Sequence, residues 1–146
     1  MLPLKDAPDH HDAELILKLY ELRREALLRQ SRKEINQKFK PTSFEDWCAV
    51  VKEDHPLNEA YRQVTSYWEM TYAMAKHGIL DGEFMLESCG EGLSLFARVR
   101  PYLDQFRKEV NPIAFQNAEW IATHTTRGEF LTERFAKRYA STLAAR

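Results

Sequence analysis

Cysteine, glycine, proline and long apolar runs are all scarce in this 146-residue chain, and each scarcity excludes a class. Two cysteines are too few for a disulfide scaffold, and Cys48 and Cys89 form no C-x-x-C motif. Five glycines and six prolines are few for an all-β domain with many tight turns. No stretch approaches the roughly 18 apolar residues of a membrane span. The opening Met1-Leu2-Pro3-Leu4-Lys5-Asp6 lacks a charged segment followed by an apolar one, so no signal peptide is expected. No sign of charge dominates either. Lys plus Arg number 21 against 22 Asp plus Glu, which excludes a globally basic nucleic-acid binder and an acidic disordered tail.

Hydrophobic residues at 44% and aromatics at 12% supply a real core. A chain of this length buries roughly two-thirds of its unfolded surface. One domain over residues 1–146 is expected, with 1–8 as a flexible N-terminal arm, in a soluble cytoplasmic protein with reduced thiols.

Helical period dominates the chain. Leu15, Leu19, Leu22 and Ala26 repeat at helical spacing, and Glu14–Lys18, Glu25–Arg29 and Glu34–Lys38 are favourable i,i+4 pairs. A long first helix is expected from about Asp9 to Phe39, with a bend or break near Ser31, ended by Pro41. Thr42-Ser43-Phe44-Glu45 has capping-box spacing and should open a second helix running to about Glu53. The third helix should run from Pro56 to His77 and stop at Gly78. Its second half is apolar nearly all round, which places it at the centre of the fold.

A short helix is expected near Asp81. Another begins at Leu93, with a kink or a short break at Pro101. Asn111-Pro112 reads as the start of the next. A second capping-box pattern, Thr126-Arg127-Gly128-Glu129, opens the last. The fold class is therefore all-α, a compact single-domain bundle of six to eight helices around the helix at about 56–77.

Chemical motifs are few. His10, His11, Asp12 and Glu14 are the densest group of potential ligands, but no H-E-x-x-H or E-x-x-H occurs, so no metal and no cofactor are expected. Gly92-Leu93-Ser94-Leu95-Phe96 lacks the closing glycine and the preceding strand of a nucleophile elbow. From Lys18 to Lys40 there are eight basic and three acidic residues, while Pro41 to Met70 is net acidic. The two segments are expected to offset each other, and no nucleic-acid partner is predicted. Glu69 is the unusual position: the one formally charged residue between Val64 and Ala75, in need of a partner. Arg107 is the first choice, with Arg62 and Arg98 behind it.

Tyr61-Arg62-Gln63-Val64-Thr65-Ser66-Tyr67-Trp68-Glu69-Met70 is followed by His77-Gly78-Ile79-Leu80-Asp81. Later come Arg100-Pro101-Tyr102-Leu103 with Phe106-Arg107, then Asn117-Ala118-Glu119-Trp120-Ile121. In this order they resemble a family of bacterial all-helical proteins known only as a domain of unknown function, over about residues 56–121. The resemblance implies a helical fold, a bacterial source, and Glu69 with Arg107 as structural anchors. It implies no activity, so no catalytic residue is carried over. Relatives with this pattern often begin with a membrane helix, whereas this chain begins with an amphipathic one. The leading expectation is a non-enzymatic interaction protein forming a homodimer through Leu15, Leu19 and Leu22, with no membrane span. The alternatives are a helical enzyme or ligand-binding domain with a pocket at Trp68, Glu69, Tyr72 and Arg107, and a phosphate or nucleic-acid contact through the basic first helix.

Overall fold

The apolar period of the sequence becomes helix throughout the computed structural model, which describes residues 5–146 and has no strand among them. In order, the elements are α1 (His10–Arg23), α2 (Ala26–Lys38), α3 (Phe44–Val50), α4 (Asn58–Lys76), α5 (Gly82–Met85) and α6 (Glu91–Val99). A 3-10 turn (Arg100–Tyr102), α7 (Leu103–Glu109), α8 (Gln116–His124) and α9 (Thr126–Ala144) follow. The architecture is an all-α bundle with α4 at its centre. α4 packs against α2 on one side and α8 on another, and α9 lies against α6 and α8. No helix among the described residues is long and apolar enough to cross a membrane.

The first helix breaks at Arg24-Glu25, not near Ser31, which is buried inside α2. The cause is Glu25. Its carboxylate accepts the Leu27 and Leu28 amides at 3.0 and 2.9 Å and starts a new helix. The face that α1 buries is also rotated from the Leu15, Leu19, Leu22 stripe. Asp12, Leu19 and Arg23 are buried, while Leu22 is exposed. The arm expected over residues 1–8 begins with Met1–Leu4, outside the described residues. At Lys5 the ammonium already lies 2.8 Å from the Asp12 carboxylate.

Two cap positions shift by one residue. Ser43, not Thr42, caps α3 through the Asp46 amide, and Thr42 instead donates to the Asp46 carboxylate. Thr125, not Thr126, caps α9 through the Gly128 amide. α3 ends at Val50, where the Asn58 side chain takes the Val50 carbonyl and turns the chain into α4. At the far end of α4, Gly78 adopts φ 74°, and the Gly78 and Ile79 amides close on the Ala75 and Met74 carbonyls in a Schellman motif.

The core is aromatic where α3, α4 and α7 meet. Trp47 is fully buried, stacked on Phe106 with centroids 3.7 Å apart, and its indole N–H donates to the Tyr61 hydroxyl at 2.9 Å. Gly92 lets α6 approach α4: a Cβ there would lie 2.6 Å from the Tyr72 hydroxyl and 2.7 Å from Trp68 Cγ.

Acidic side chains also tie helices together by receiving amides at foreign helix starts. Asp12 accepts the Asp81 amide ahead of α5, and Glu83 accepts the Arg127 amide at the start of α9. Glu69 does the same for α8. Helix N-termini hold unpaired N–H groups and a partial positive charge, so a carboxylate suits them.

Candidate functional site

The four candidate residues divide between two sides of α4. Trp68 and Tyr72 turn toward α6 and are buried. Their rings stack at 5.7 Å, the Tyr72 hydroxyl donates to the Cys89 carbonyl at 2.9 Å, and the Trp68 indole donates to Glu91 at 3.3 Å. Burial pushes the Tyr72 hydroxyl well above its usual range. Glu69 faces the other way. The groove that Glu69 lines includes none of Trp68, Tyr72 and Arg107.

Glu69 is not paired to an arginine. Its two oxygens accept the Asn117 and Ala118 amides at 3.0 and 2.9 Å, and the Asn117 side chain returns a hydrogen bond to the Glu69 carbonyl at 3.1 Å. The carboxylate thus occupies the N-terminus of α8, whose own N-cap residue, Phe115, offers no side-chain acceptor. Burial raises the Glu69 carboxyl above its ordinary value. The two amides and the more distant charges of Arg107 and Lys76 oppose this.

Arg107 supports the same turn from α7. It donates to the Ala114 carbonyl at 3.0 Å and pairs with Glu119 at 2.9 Å. Arg62 is exposed, and Arg98, on α6, is buried against the C-terminal end of α2. This explains why α8 starts at Gln116 and not at Pro112. The Asn111 side chain accepts the Ile113 amide in a local turn, and Phe115 takes a left-handed φ of 54°. Phe115 is a bulky residue in a strained region, held by the Trp47 ring 5.8 Å away and the Phe96 ring 6.3 Å away.

Beside Glu69 an open groove of about 640 Å³ runs between α4 and residues 110–117. Its floor is apolar, with Tyr61, Phe106 and Phe115, and Val110 and Ile113 stand exposed at its edge. Its polar groups are largely in use. Thr65 and Ser66 donate to carbonyls of their own helix, and Glu69, Asn111 and Asn117 are bonded as described. No histidine or cysteine lines it.

The sequence reading missed a buried basic network on the opposite side. Arg23 donates to the Tyr67 hydroxyl at 3.1 Å and to Cys89 Sγ at 3.4 Å, and lies 5.4 Å over the Trp68 ring. Arg32 grips Glu91 with two hydrogen bonds at 2.9 and 2.8 Å. Two of the eight basic residues between Lys18 and Lys40 are therefore engaged within the fold. The available clue was register: Asp12, Ile16, Leu19 and Arg23 share one helical face.

Residues 8–125 match the family DUF4760, a domain of unknown function. The chain belongs to the DUF4760 family. The match contains the span 56–121 on which the resemblance rested and adds both first helices. It ends at Thr125, so α9 of this DUF4760 protein lies outside it. Neither the curated proteins nor the solved structures contain a match.

Proposed function

We propose that this DUF4760 protein is a non-enzymatic helical interaction protein that binds a second copy of itself through the outer face of α1 and the start of α2. The observation that carries the reading is a clustering. Of the nine exposed large apolar side chains among the described residues, Leu17, Tyr20, Leu22 and Leu27 fall within one short stretch. Leu17, Tyr20 and Leu27 are 63%, 51% and 50% exposed. Apolar side chains scattered singly need no explanation, whereas Leu17 and Tyr20 on one face of α1, with Leu27 at the start of α2, support a contact. Leu17 and Tyr20 share a face at i,i+3. Tyr20 is further held in place by the Arg23 and Arg24 guanidinium groups, 5.8 and 5.7 Å from its ring, which prepares it as an anchor.

A second copy is the favoured occupant because the flanking charges alternate: Glu14, Lys18, Glu21, Arg24. Antiparallel pairing about a two-fold axis between Leu17 and Tyr20 sets Glu14 of each copy near Arg24 of the other. A standard interface takes roughly 800 Å² per partner. That is about a tenth of the 8558 Å² accessible surface of this chain. Two free cysteines suit a reducing compartment, and a cytoplasmic location forms part of the proposal. Light scattering on the purified full chain over a concentration series tests it. A dimer at tens of micromolar is expected, and a monomer throughout would overturn the reading.

A further inference from the structure

Three cationic residues, Lys40, Arg98 and Arg138, line the cleft between α9 and the α2 and α6 helices, and no carboxylate lines it. The cleft holds about 180 Å³. Arg98 lies at its base, only 8% exposed, and has no acidic partner among the described residues. One guanidinium nitrogen donates to the Ile35 and Phe39 carbonyls at the C-terminal end of α2, at 3.2 and 3.0 Å. The other donates to Asn36 Oδ1 and Ser94 Oγ, each at 3.2 Å. Four of its five N–H groups are therefore taken, all by neutral acceptors, and Nε–H has no acceptor among the described residues.

Glu91 is the carboxylate whose charge reaches Arg98, and Arg32 already binds both of its oxygens. Burial pulls the Arg98 guanidinium below its usual value, yet arginine stays cationic. A buried charge without a counter-ion is unfavourable and draws an anion.

The neighbours leave donors and few acceptors. Asn36 and Ser94 each turn an oxygen to Arg98, so the Asn36 amide N–H groups and the Ser94 hydroxyl proton remain to be given. The Tyr139 hydroxyl donates to the Pro41 carbonyl at 2.7 Å, and its ring packs 5.9 Å from the Arg98 guanidinium. Lys40 and Arg138 complete the cleft and form no ion pair among the described residues.

We propose that this cleft binds a phosphate group. Donors from several directions and three positive charges suit a tetrahedral dianion better than a planar, singly charged carboxylate. Arg138 and Tyr139 come from α9, beyond the span matched to the family, so the site exists only with the C-terminal helix docked. The phosphate belongs to a small soluble monoester or to a monoester lipid headgroup.

The full chain is titrated with inorganic phosphate by calorimetry, and its thermal midpoint is followed in phosphate against chloride at matched ionic strength. The same is done for Lys40→Gln/Arg138→Gln and for Arg138→Gln alone, leaving Arg98 to hold α2. Saturable binding to wild type and a midpoint raised by phosphate are expected. The double variant should keep its unliganded midpoint and bind about tenfold more weakly or worse, the loss expected when charge-assisted contacts go. Arg138→Gln should show part of that loss. Sedimentation with phosphatidylcholine vesicles containing phosphatidic acid, released by free phosphate, assigns the lipid source. Phosphate binding without vesicle binding assigns the soluble one. No response to phosphate beyond chloride, or a response of the double variant equal to that of wild type, overturns the proposal.

Discussion

Glu69→Ala isolates one tie between α4 and α8. The carboxylate accepts two backbone amides that no other group satisfies, at positions where a helix start is short of acceptors. Replacing a local cap by alanine costs roughly 0.5–2 kcal/mol. Here two amides lose a charged acceptor together in a half-buried place, so about 2–4 kcal/mol is expected. Glu69→Gln keeps one acceptor oxygen and should cost about 1–2 kcal/mol. Arg107→Ala loses a hydrogen bond to the Ala114 carbonyl and a half-exposed pair with Glu119, again about 1–2 kcal/mol. A buried Glu69–Arg107 pair would instead lose roughly 3–5 kcal/mol on removal of either partner. Urea unfolding gives the free energies, and amide exchange at Asn117 and Ala118 locates the loss. A Glu69→Ala cost below about 0.5 kcal/mol, or unchanged exchange at both amides, would refute the capping argument.

Trp47→Ala, which empties the stack on Phe106, should cost about 3–5 kcal/mol in urea unfolding. Gly92→Ala drives a methyl group into Trp68 and Tyr72 and should lower stability by about 1–3 kcal/mol, seen as a lower thermal midpoint. Asp12 carries a pH dependence of definite sign. Burial works to raise its carboxyl, but Lys5 and the Asp81 and Asp9 amides outweigh this and hold it below its ordinary 3.8. The stability it contributes is present above that value and is lost as pH falls through the folded one, so Asp12→Asn should flatten the acid limb of an unfolding titration.

Local chemistry made much of the helix pattern legible. Gly78 ends α4, Pro101 interrupts the run between α6 and α7, and the apolar second half of α4 is central, because each depends on nearby residues. The caps of α3 and α9 were one residue off because adjacent Thr-Ser and Thr-Thr pairs offer equivalent oxygens, and tertiary packing chooses between them. Asn111-Pro112 has the local features of a helix start. The start moved to Gln116 because Glu69, more than forty residues earlier, supplies the acceptor. Glu69 was legible as a charge in need of a partner, but a backbone amide carries no side-chain signature. The burial of Arg23 and Arg98 was obscured for a similar reason. Their partners are hydroxyls, a thiol and carbonyls, with no acidic residue to mark them.

Self-association through α1 is decided by sedimentation equilibrium of wild type beside Leu17→Asp/Tyr20→Asp. Both substitutions lie on the exposed face, so circular dichroism should be unchanged. A dimer through α1 requires twice the 17.2 kDa chain mass for wild type at tens of micromolar and the single chain mass for the variant. Wild type at 17.2 kDa, or a variant that stays dimeric, would contradict it.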